Sequence, residues 1–69
     1  MRYFVTDENL IPLKEQPING YTFLKAIERA QREMTKDFKL FGGKLSEYAK
    51  YYHIMDENCN YIKDADSAI

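Results

Sequence analysis

Tyr3-Phe4-Val5-Thr6-Asp7-Glu8-Asn9 returns, altered but in order, as Tyr52-His53-Ile54-Met55-Asp56-Glu57-Asn58. The likeness continues past the shared Asp-Glu-Asn, where Leu13-Lys14-Glu15 matches Ile62-Lys63-Asp64. In both copies apolar residues lead into a run of turn formers and then resume, the pattern of strand, turn and strand. The chain therefore reads as two similar β-hairpins, spanning 2–15 and 51–64.

Asp7-Glu8-Asn9 reads as a three-residue loop with Asn9 in the left-handed conformation. That register sets Thr6 opposite Leu10, Val5 opposite Ile11 and Tyr3 opposite Leu13. Tyr3, Val5, Ile11 and Leu13 then share one face, and Phe4, Thr6, Leu10 and Pro12 the other. Carried to the second hairpin, it places Tyr52, Ile54 and Ile62 on the core face and Tyr51, His53, Met55, Cys59 and Tyr61 opposite. Asn60 stands where Ile11 stands and interrupts the second core face. Pro12 has no N–H to give a ladder, so its strand belongs at an edge.

Between the hairpins, Gln16-Pro17-Ile18-Asn19-Gly20 is a turn, and Asn19 or Thr22 can cap a following helix. The spacing predicts a helix over 22–38. Phe23, Leu24, Ile27, Ala30, Met34 and Phe38 fall on one arc, with Lys25, Arg29, Arg32, Lys36 and Lys39 on nearly the opposite one. Gly42-Gly43 stops it. Residues 44–50 fit a strand lead-in or a short helical turn, and 65–69 read as a frayed tail. The expected fold is α+β, in the order ββαββ. Two hairpins form a mostly antiparallel sheet with one amphipathic helix packed on one face.

At 69 residues and 45% hydrophobic content this is one domain with a thin core. Cys59 is the only cysteine, which rules out a disulfide within the chain and points to a reducing, cytoplasmic setting. No stretch has the character of a signal peptide or a membrane span. Net charge is -1, but it is segregated. Residues 25–50 carry seven positive against four negative side chains, a net of +3, and residues 51–69 one positive against four negative, a net of -3.

One helix cannot cover both faces of a sheet. The uncovered face would display Phe4, Leu10, Tyr51, His53, Met55 and Tyr61, a set suited to a protein partner or a second copy of the chain. The plainer alternative is that residues 39–50 fold over this face and make it a second small core. The basic stripe, Lys25, Arg29, Arg32, Lys36 and Lys39 with Lys44 just beyond, offers a nucleic-acid surface. Ion pairs from Glu28 to Arg32 and from Glu33 to Lys36 would blunt it, and a solvated helix face has the same composition. Aromatic stacking of bases on the sheet lacks any ribonucleoprotein signature.

Chemistry has little to work with. Asp56-Glu57-Asn58-Cys59-Asn60 resembles the opening of a calcium loop, but Tyr61 stands where Gly is needed and Ser67 where Glu is needed. One Cys and one His cannot furnish a structural zinc site. Gly42-Gly43-Lys44 lacks the upstream Gly and the following Ser or Thr of a phosphate loop. No nucleophile has an oriented base and no carboxylate pair has acid–base spacing. No cofactor, metal or enzymatic activity is expected. The expected function is a small non-catalytic protein-binding module, an inhibitor or adaptor, that occupies a partner's surface and forms a homodimer. Phages and mobile elements encode many proteins of this size and plainness, host-defence inhibitors among them. Nucleic-acid binding through the basic helix face is the alternative.

Overall fold

The computed structural model describes residues 1–65. It is an α+β fold in which strand β1, Tyr3–Asp7, is followed by helix α1, Phe23–Phe41. A 3-10 helix, Leu45–Tyr51, then leads into strands β2, Tyr52–Asp56, and β3, Tyr61–Asp64. The three strands form one antiparallel sheet in the order β1-β2-β3. Of the expected tail, Ala65 is buried in the core, and 66–69 lie outside the described residues.

The second hairpin forms as β2 and β3, whereas the return arm of the first is not a strand. Residues 10–15 meet β1 through a single bridge, Thr6 to Pro12. Pro12 lies between two ladder bonds that do form, Asp7 N–H to Ile11 O and Leu13 N–H to Val5 O, so its missing N–H faces away from β1, and beyond Leu13 a side chain takes over the pairing. Val5 N–H donates to Gln16 Oε1 at 2.8 Å, and Gln16 Nε2 donates back to Val5 O at 2.9 Å. Tyr3 exchanges two backbone bonds with Tyr21, of 2.8 and 2.7 Å, and Asp7 N–H donates to Ile11 O at 2.9 Å. The outward polar groups of β1 are thus taken up by the chain itself, which blunts that edge against further pairing.

Both turns have one geometry, and it differs by a residue from the expected one. Asp7 Oδ1 accepts from Asn9 N at 2.8 Å and Ile11 N at 3.0 Å, and Asp56 Oδ1 accepts from Asn58 N and Asn60 N, both at 2.9 Å. Each aspartate ends its strand and staples the loop instead of belonging to it. The left-handed residues are therefore Leu10 (φ 63°) and Cys59 (φ 66°), not Asn9 and Asn58. The first hairpin's register slides by two, so that Thr6 faces Pro12 and Leu13 N–H donates to Val5 O at 3.0 Å. A slide of two preserves side-chain parity, and Tyr3, Val5 and Leu13 stay on the core side. In the second hairpin a bulge pairs Ile54 with Lys63 but Met55 with Tyr61. Ile62 is thereby ejected from the core face and is exposed.

Helix α1 starts at Thr22, whose hydroxyl accepts from Lys25 N at 3.3 Å. It runs a turn longer than expected and stops at Gly42 (φ 76°), whose N–H caps Phe38 O at 2.8 Å. Its buried side is Ala26, Ala30 and Met34 together with Arg29. The core joins these apolar residues to Val5, Ile54, Ala49 of the 3-10 helix and Ala65. Four of its seven fully buried members are alanine, which lets the helix lie close to the sheet, and partly buried Tyr3, Leu13, Tyr21, Phe23, Ile27, Tyr48 and Tyr52 pack around them. Three strands are too narrow for the whole apolar arc of α1, so Leu24 and Phe38 overhang and are exposed.

Candidate protein interface

The sheet face away from α1 is less open than its composition suggests. Met55 pairs with Phe4 on one side and Tyr61 on the other. Roofed by these neighbours, Met55 is buried, Phe4 is half-buried, and Tyr61 remains 50% exposed. His53 is half-buried and meets the Tyr61 ring edge-on, with centroids 5.3 Å apart. Its Nδ1 lies 2.6 Å from Asp64 Oδ1, an ion pair when His53 is protonated, and Tyr61 OH donates to the same oxygen at 2.7 Å. Phe4, His53, Met55 and Tyr61 are therefore brought together. Leu10 sits apart at the first turn, and Tyr51 lies in the 3-10 helix, beside Tyr48 and under Lys50 Nζ. The 3-10 helix packs against α1 and β2 and puts Ala49 into the main core, so it builds no second core on the far face.

The basic set divides. Arg29 is only 9% exposed and fully engaged. It donates to Lys14 O and Glu15 O, both at 2.9 Å, to Tyr21 OH at 3.2 Å and to Glu33 Oε1 at 3.4 Å. Burial acts against its charge, but Tyr21 and Glu33 outweigh burial and leave its pKa raised. Arg29 anchors the 14–15 segment to α1 and leaves the exposed stripe. Lys25 pairs with Glu28 at 3.3 Å. The anticipated pairs of Glu28 with Arg32 and Glu33 with Lys36 do not form, because both acids turn to the preceding cation, Lys25 and Arg29. Asp37, the remaining acid of α1, accepts a 2.5 Å bond from Tyr52 OH. Burial first, and then the Asp37 carboxylate, push the Tyr52 phenol well above its ordinary pKa. Arg32, Lys36 and Lys39, with Lys44 beyond the helix, are exposed and make no ion pair among the described residues.

A second apolar surface lies on α1. Leu24, Gln31, Thr35 and Phe38 recur at intervals that keep them on one flank of the helix. Leu24 is 72% exposed and Phe38 38% exposed, and beyond them Leu40 and Phe41 are exposed at the last turn. Leu45 folds back so that Gln31, Met34, Thr35 and Leu45 line a cavity of about 180 Å³ between α1 and the 3-10 helix. The sequence carried a signal for this surface. Phe38-Lys39-Leu40-Phe41 runs straight to Gly42, and a helix ended at 38 leaves Phe41 out of account.

Among the described residues no group of His, Cys, Asp and Glu side chains is placed to hold a metal ion. No helix among them is long and apolar enough to cross a membrane. Comparison with protein-family models, with curated proteins and with solved structures returns no match.

Proposed function

We propose that this chain is a non-catalytic protein-binding module that acts by occupying a partner's surface, as an inhibitor or an adaptor. The observation that carries the reading is the exposed apolar side chains of α1, Leu24 and Phe38 on one flank and Leu40 and Phe41 at the last turn, which stand in solvent on a domain with few large side chains fully buried. Large apolar side chains left in solvent contribute nothing to the stability of a small domain, and exposed apolar surface of this kind marks protein contacts. Tyr61 on the sheet face away from α1, and Tyr51 in the 3-10 helix, add exposed aromatic surface. The exposed thiol of Cys59 suits a reducing, cytoplasmic compartment. Small size fits a protein encoded by a phage or mobile element, host-defence inhibitors included.

The test is recovery of a partner by the chain and by Leu24→Ser/Phe41→Ser, two exposed positions where polar residues leave the core intact. Partner recovery lost in the double variant supports the reading, and a nuclease-sensitive ligand in its place would sink it. The same surface suits a second copy of the chain, and a particle near twice 8.2 kDa in light scattering would reveal a homodimer. Nucleic-acid binding is the second reading. Arg32, Lys36 and Lys39 favour it, but Arg29 is committed inside the fold and Lys25 to Glu28.

A further inference from the structure

The geometry points to an acidic amphipathic segment of a partner protein as the occupant of the α1 flank, an inference that rests on the protein-binding reading above. Its apolar side chains would lie along Leu24, Gln31, Thr35 and Phe38, with one entering the cavity beside Leu45, and its carboxylates would meet Arg32, Lys36 and Lys39. Every acidic side chain of α1 is engaged within the chain, Glu28 by Lys25, Glu33 by Arg29 and Asp37 by Tyr52. The three cations next to the apolar flank make no ion pair among the described residues. The stripe is therefore charged in fact as well as in composition, and its complement is anionic.

The neighbouring surface decides between kinds of anion. A nucleic-acid backbone asks for cations and polar donors. It has no use for Leu24, Phe38 and a 180 Å³ cavity lined by Gln31, Met34, Thr35 and Leu45. A cavity of that size accepts one large apolar side chain. Leu24 and Phe38 are about 21 Å apart along the axis at 1.5 Å per residue, so a partner helix of about four turns spans the flank. It would present apolar anchors every three or four residues with acids beside them.

The test is selection from a displayed random library of peptides about 15 residues long, with the protein immobilised and winners measured by fluorescence polarisation. The proposal expects winners that combine Asp or Glu with large apolar residues at helical spacing. Their affinity should fall about tenfold in Arg32→Glu/Lys36→Glu, comparably in Leu45→Glu, and with rising salt. All three positions are exposed, and circular dichroism verifies that the variants fold. Winners without acidic character, or binding unchanged in both variants, overturn the proposal. Winners lost only in Tyr61→Ala overturn this site while leaving the protein-binding function standing. Tight binding of duplex DNA with no peptide enriched overturns both. Two further results overturn the assignment of occupant: a dimer dispersed by Leu45→Glu, which gives the flank to a second copy, and tighter peptide binding on deletion of 66–69, which gives it to the chain itself.

Discussion

Asp7 and Asp56 do the same work at single-residue resolution. Each ends a strand, and each carboxylate accepts two backbone N–H groups of the loop it starts. The N–H groups of Asn60 and Asn58, with the Asn60 side chain, hold the Asp56 carboxyl below its usual pKa, although burial acts the other way. A depressed carboxyl contributes stability above its unfolded pKa and loses it as pH falls through the folded value. Urea midpoints measured from neutral to acid pH should therefore fall in the native chain and fall less in Asp56→Asn, whose midpoint starts lower. Equal slopes would remove the staple from the account. Tyr52 runs the opposite way. Its raised phenol contributes fully below the unfolded value and loses the contribution as pH rises toward the folded one. Tyr52→Phe should cost about 1 kcal/mol at neutral pH for the bond to Asp37, and should flatten the alkaline limb. Gly20 is a third such position. At φ 81° a Cβ would sit 2.9 Å from Tyr3 O, so Gly20→Ala should destabilise by about 2 kcal/mol in the same assay.

At the scale of elements, much of the arrangement was legible. Helix α1 announced itself by its periodicity and the Gly42-Gly43 stop, the second hairpin by its alternation around Asp56-Glu57-Asn58, and the inward parity of Val5 and Ile54 by the repeat. What escaped the sequence was decided by local hydrogen bonds. A staple from Asp moved the left-handed residue to Leu10 and Cys59, where propensity argues for Asn or Gly, and a bulge threw Ile62 outward. Arg29 looks in periodicity like any other member of a basic stripe, and nothing in spacing alone reveals that the carbonyls of Lys14 and Glu15 converge on it. The pairing of Glu33 with the preceding rather than the following cation likewise follows from Arg29's place in the fold. Because its fork bridges two carbonyls, Arg29→Lys should loosen the 14–15 segment from α1 and cost about 2 kcal/mol, whereas Arg32→Lys should be nearly neutral. Chemical denaturation of the two variants distinguishes a structural guanidinium from a surface one.

For the whole molecule, a small core and a large exposed apolar flank belong to one account. The core's large members are Met34, Ile54 and Val5, set among four alanines. Met34→Ala should remove about 3 kcal/mol, a large part of what a domain of this size commands, and leave the chain close to its unfolding midpoint at ambient temperature. Leu24 and Phe38 stand on one flank of α1 beside Arg32, Lys36 and Lys39, which make no ion pair among the described residues, and Leu40 and Phe41 are exposed at its last turn. Partner recovery by the native chain, by Tyr61→Ala and by Leu24→Ser/Phe41→Ser, with nuclease treatment and quantitation by mass spectrometry, tests this most directly. The account predicts a nuclease-resistant protein recovered equally by the first two and lost from the third. Equal recovery by all three, or recovery only of material that nuclease removes, would contradict it.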